Sequence, residues 1–167
     1  MQLMNEKKRS RQSLLIILTI IVLSVVGSIS IIAHELQRPV TVDVKRSSQI
    51  ARKHAKLTHI NEVQRFTHGT LEYTVVGSTK DHQYVFAVVQ DSGKQVDIFK
   101  QSTGISQSKA EKTVRGAYSA KKITSSSFGV INKQPVWDIS FIDQKKQLNI
   151  VTLDFKKGNV IKHVKSY

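Results

Sequence analysis

The stretch VWDISFIDQKKQLNIVTLDFKKGNVIKHV, residues 136–164, decides the fold. From Val136 to Ile142, Trp137, Ile139 and Phe141 fall on one face, while Asp138 and Ser140 fall on the other. That two-residue period belongs to a strand with one buried face. Asp143 to Gln147 is a polar hairpin loop. Leu148 to Phe155 repeats the alternation through Val151, Leu153 and Phe155, and Lys157-Gly158-Asn159 turns the chain into a last strand, Val160 to Val164. Upstream, Ile123 to Ile131 reads as a weaker, serine-rich strand. A sheet with one apolar face needs a cover. A helix supplies it: Ala110, Val114, Ala117 and Tyr118 share a stripe, while Lys109, Lys112 and Arg115 face away. Ser106 is placed to cap this helix, with Ile105 packing on Ala110 as a hydrophobic staple. Ser108 with Glu111 offers a competing capping box two residues later.

The same order occurs about 65 residues earlier, which reads as an internal repeat. Pro39 suits the first turn of a helix over Val40 to Leu57, with Ile50, His54 and Leu57 on a narrow apolar seam beside Ala51. His54 is therefore expected to be packed and hydrogen-bonded. Lys45, Arg52 and Lys56 fall on another face and Arg46 and Lys53 on a third line, which makes a candidate basic binding face. Asn61 to Phe66 reads as a short first strand. Leu71, Tyr73 and Val75 alternate with Glu72 and Thr74, a half-buried strand with the polar pair outward. Tyr84 to Val89 reads as a central strand and Val96 to Phe99 as the next, with turns at Thr79 to His82 and Asp91 to Lys94. The polar break Gln101 to Gly104 is the expected domain boundary. The expected fold class is α+β, with two small tandem units at 34–104 and 105–167, each a helix on an antiparallel sheet. Units of this size are marginal alone, so the two are expected to pack together.

Leu14 to Ala33 is 20 residues without charge or proline, bilayer length for a helix rising about 1.5 Å per residue. Lys7, Lys8, Arg9 and Arg11 precede it. The positive-inside rule then predicts a cytoplasmic tail at 1–13, a transmembrane helix at 14–33 and extracellular domains beyond, a single-pass cell-membrane protein. A cleaved signal fits less well, because its apolar region runs only about 7–15 residues.

The chain carries 26 Lys and Arg against 12 Asp and Glu, a formal net charge of +14. Such a surface favours anionic lipid or anionic wall polymer. Nucleic acid is set aside as a partner, on the ground that it is rarely met outside the cell. The absence of cysteine excludes disulfides and thiolate metal sites. No cofactor is expected. His34, His54, His59, His68, His82 and His163 make no metal-binding spacing. Ser125-Ser126-Ser127 lacks a nucleophile elbow, and Asp138 and Asp143 are expected on opposite faces, so no acid–base pair forms and no enzyme is expected. Trp137 reads as a core anchor and Asp154 as a turn-fixing residue.

Residues 104–161 carry a family resemblance. Gly104-Ile105-Ser106 leads into a helix with Ala110 inside; Trp137, Ile139 and Phe141 follow, then Val151, Leu153 and Asp154, then Gly158, Val160 and Ile161. This half resembles a PepSY domain. The whole layout resembles the TseB-like cell wall elongation regulators of Gram-positive bacteria. The resemblance implies two cystatin-like domains, no catalytic residues, and a membrane-anchored regulator of peptidoglycan synthesis that binds a penicillin-binding protein or another wall-synthesis protein. An inhibitor or chaperone of a secreted peptidase is the other reading, since PepSY domains also accompany such enzymes.

Overall fold

The computed structural model describes residues 19–26 and 42–166. Contacts divide the chain into two compact units, 1–43 and 44–167. In the first, residues 19–26 are helical. Among the described residues no helix is long and apolar enough to cross a membrane. The expected transmembrane helix Leu14–Ala33 is corrected accordingly, its remaining residues lying outside the described ones. The membrane location, the single-pass topology with extracellular domains, and the role of a membrane-anchored regulator of a penicillin-binding protein all rested on that helix and are corrected with it.

Helix α1 covers 42–55. Its buried line is Ser47, Ala51 and Ala55, four residues apart, so small side chains let the helix lie close to a sheet. The Ser48 hydroxyl donates to the Val44 carbonyl at 2.8 Å. His54 is exposed, which corrects the expected seam: the apolar line runs through Ala51 and Ala55 instead. Lys56 takes a left-handed conformation (φ 51°) and ends the helix, and a strand begins at the next residue.

Four strands follow, β1 (Leu57–His68), β2 (Thr70–Thr79), β3 (Tyr84–Gln90) and β4 (Gln95–Lys100), antiparallel in the order β1-β2-β3-β4. β1 is twice as long as Asn61–Phe66 suggested and carries two register shifts against β2. Gly69 (φ +87°) makes the tight β1–β2 turn. One face packs Val75, Val85, Ala87 and Val89 against Ala51 and Ala55 of α1.

The chain then passes through Gln101–Gly104 into α2 (Gln107–Tyr118) and a second antiparallel sheet, β5 (Lys122–Ile131), β6 (Gln134–Ile142), β7 (Leu148–Asp154) and β8 (Val160–Lys165), in the order β5-β6-β7-β8. Ser106 caps α2 by accepting the Lys109 N–H at 3.2 Å. Ala110 and Val114 are buried against Ile139, Phe141 and Val151, with Ile105 in the same cluster, while Ala117 is exposed. The fold is thus α+β, with two four-stranded antiparallel sheets, each preceded by a helix.

The second face of the first sheet is buried too. Phe86 stacks on Phe128 with centroids 4.1 Å apart, and meets Trp137 edge-on at 5.4 Å and Phe155 at 6.0 Å. Edge strand β5 lies against this face. Its backbone groups at Phe128 meet two buried side chains of the first sheet. The Phe128 N–H donates to Gln64 Oε1 at 2.9 Å, and the Thr74 hydroxyl donates to the Phe128 carbonyl at 2.6 Å. An unpaired strand edge buried without partners would be costly, so these polar side chains make the docking possible. Glu72 and Thr74 were expected at the surface; both are buried because the second sheet covers that side of β2. At Gly129 the approach is closest: a Cβ there would sit 2.3 Å from the Phe66 ring.

Candidate functional site

Helix periodicity builds the basic face. At about 100° per residue, Lys45 and Arg52 fall on one stripe of α1 and Arg46 and Lys53 on a line about 100° round from it, while Lys56 follows the helix end. All five are exposed, opposite the Ser47–Ala51–Ala55 line that packs on the first sheet. Among the described ion pairs, Lys94–Asp91 and Lys165–Asp143, none involves them. The five cations expected to form a basic face are thus all solvated. A like-charged cluster of this kind is unfavourable by itself and is relieved by an anion.

The PepSY-like residues are structural. Trp137, Ile139, Phe141, Val151 and Leu153 are all at most 1% exposed and line the face under α2. The Trp137 indole N–H donates to the Ile105 carbonyl at 3.0 Å, tying the sheet to the start of α2. Asp154 holds the β7–β8 turn by accepting the Lys157 N–H at 2.6 Å, and Gly158 (φ +77°) sits where a Cβ would meet Ile105 at 3.0 Å. Val160 is 45% exposed at the sheet edge.

The acids in this fold have local tasks. Asp143 closes the β6–β7 loop, accepting N–H groups of Gln147 at 2.9 Å and Lys145 at 2.8 Å. The Gln147 N–H is the chief reason its carboxyl lies below the ordinary value of 3.8, with Asn149, Lys145 and Lys165 adding to it and desolvation opposing. Asp138 accepts the Thr152 hydroxyl, and Glu111 accepts from Ser126 at 2.7 Å and from Gln107 at 3.1 Å. Ser126 thus bonds a carboxylate, and Ser125 is exposed. Among the described residues no group of three or more His, Asp or Glu is placed to hold a metal ion.

Sequence reasoning missed two concavities. An open groove of about 440 Å³ is lined by His82, Gln83, Tyr84, Lys100, Gln101 and Ser102. A smaller one of about 120 Å³ has Phe86, Val76 and Trp137 beneath a rim that includes Gln64 and Gln107. Tyr84, 57% exposed, stands at the start of a strand whose next five residues are buried.

With this geometry in view, comparison with known proteins gives one sequence relative. The chain is similar to the probable cell wall elongation regulator TseB of Bacillus subtilis strain 168. Identity to TseB is 24% over 115 residues, covering 68% of this chain and 71% of TseB. No family model matches the sequence. Among solved structures, the YpmB protein from Bacillus subtilis superposes with a TM-score of 0.65 at 21% identity, over 73% of this chain and 96% of that one. The likeness shows a related fold.

Proposed function

We propose that this chain is a non-catalytic binding module of bacterial cell wall growth, and that it works by holding an anionic wall polymer on the basic face of α1. Its likeness to TseB, named as a regulator of cell wall elongation, supports the setting. The local engagement of Asp138, Asp143 and Glu111 supports a role without catalysis. The observation that supports the reading is that Lys45, Arg46, Arg52 and Lys53 of α1, and Lys56 just after it, are all exposed.

Binding of the full chain to poly(glycerol phosphate) tests this, with duplex DNA as a second arm. The expected result is polymer binding that is lost when Lys45, Arg52 and Lys56 are changed to Glu. Stronger binding to DNA than to the polymer would overturn the assignment, as would full retention of polymer affinity by that variant.

A further inference from the structure

The two concavities meet at one residue: Gln101 lines both the open groove and the smaller hollow. The ladder between β3 and β4 ends at the pair Val85–Lys100, with Tyr84 at the start of β3 and Gln101 just past the end of β4. Side chains two apart on a strand share a face and lie about 7 Å apart. Tyr84 therefore stands beside Phe86, on the side of the first sheet that meets the second. Phe86 is 4% exposed and Tyr84 57%. The same face thus runs from a covered ring at the hollow to an open ring at the groove.

Both walls are held in place. The β2–β3 turn is braced by the Thr79 N–H on the Gln83 carbonyl and the His82 N–H on the Thr79 carbonyl, each at 3.0 Å. Beyond Gln101, the Thr103 hydroxyl donates to the Lys100 carbonyl at 2.8 Å, and the Ile105 N–H donates to the Phe155 carbonyl at 2.8 Å. At Gly104 a Cβ would sit 2.5 Å from that Phe155 oxygen, so the connection lies tight against the second sheet. A preformed concavity loses little to ordering when a ligand enters.

The lining has a definite chemistry. The hollow, about 120 Å³, has Val76, Phe86 and Trp137 for an apolar floor and admits only a small group. Three glutamines stand around it. Gln64 is engaged with Phe128 and Glu62, and Gln107 donates to Glu111. Gln101 is half-buried, and its amide bonds no described residue. A side-chain amide both donates and accepts, so its complement is another amide, here one that carries a small apolar group. The groove adds the Tyr84 ring, whose electronegative face attracts the polarised C–H groups of a sugar ring. Gln83 and Ser102 beside it offer partners for hydroxyls.

We propose that Tyr84, Gln101 and the Val76–Phe86–Trp137 hollow form a site for an N-acetylated hexosamine unit of a glycan. The acetamido methyl group enters the hollow, the Gln101 amide pairs with the acetamido amide, and the sugar ring lies on Tyr84. Helix α1 packs on the opposite face of the first sheet, so this site uses none of its cations and stands or falls independently of polymer binding.

Calorimetry and saturation-transfer NMR of the full chain with di-N-acetylchitobiose test it. Cellobiose, with hydroxyls in place of the acetamido groups, is the second arm. Acetyl-alanine methylamide, with amides and no sugar ring, is the third. Chitobiose should bind at least about tenfold more tightly than either, the worth of one buried methyl group with one amide hydrogen bond. Its acetamido methyl protons should be the most strongly saturated. Tyr84→Ala, at an exposed position, should weaken binding at least about threefold, while Tyr84→Phe retains it. Gln101→Leu should bring chitobiose toward the affinity of cellobiose, and Arg52→Glu on α1 should leave it unchanged. No binding at millimolar chitobiose, equal affinity for cellobiose or for the methylamide, or full affinity in Tyr84→Ala would overturn the proposal.

Discussion

Replacing Thr74 with valine isolates the contact that lets the two sheets share a core. Valine keeps the shape of threonine and removes only the hydroxyl. Thr74 and Phe128 are both fully buried, so the Phe128 carbonyl loses the 2.6 Å donor without water to replace it. An orphaned buried acceptor costs about 1–3 kcal/mol. With a urea dependence of about 1.5 kcal/mol/M, the unfolding midpoint should fall by about 0.7–2 M. Thr74→Ser is the control: it keeps the hydroxyl and loses a methyl group, at about 1 kcal/mol. Trp137, the only tryptophan, is 1% exposed and touches both Phe86 and Phe128, so its fluorescence reports on this core. Combining Thr74→Val with Gln64→Leu should give a coupling of at least about 0.5 kcal/mol, because both act on one residue's backbone. A Thr74→Val protein that unfolds at the parent's urea concentration, or one harmed less than Thr74→Ser, would refute the reasoning.

Other outcomes follow from the same geometry. Gly129→Ala should destabilise the chain by about 1–3 kcal/mol in urea unfolding, because the new methyl group meets the Phe66 ring at 2.3 Å. Changing Lys45, Arg52 and Lys56 to Glu should move stability by no more than about 0.5 kcal/mol each, since all three are exposed, and circular dichroism melts check this. For Asp143 the folded carboxyl lies below its ordinary value of 3.8, so its stabilising contribution is present above that pH and is lost as pH falls through the folded value. The stability difference between the parent and Asp143→Asn, measured by urea unfolding at a series of pH values, should therefore shrink on acidification below about pH 3.8.

Much of the second half was legible because its signals are local. Alternation in Val136–Ile142 and Leu148–Phe155 locates two strands, Gly158 marks the turn after the second, and Ser106 caps the helix that covers them. The first half was harder for a non-local reason. Alternation through Leu71, Tyr73 and Val75 correctly indicates a strand, but it assigns Glu72 and Thr74 to solvent. Both are buried, and Thr74 is so because β5, more than 50 positions away, presents an edge that needs polar partners. Gln64 belongs to the same arrangement, and no pattern within β1 reveals it. His54 was misplaced because helical spacing was counted from Ile50, whereas the sheet selects the small residues Ser47, Ala51 and Ala55 for close approach. The exposure of Lys45, Arg46, Arg52, Lys53 and Lys56 needs no partner elsewhere in the chain.

The salt dependence of binding to poly(glycerol phosphate) tests the central claim most directly. If the α1 cations displace counterions from the polymer, log affinity should fall linearly with log salt, with a slope of about −2 or steeper. The Lys45, Arg52 and Lys56 charge reversal should flatten that slope. An affinity indifferent to salt, or a slope unchanged by the reversal, would contradict it.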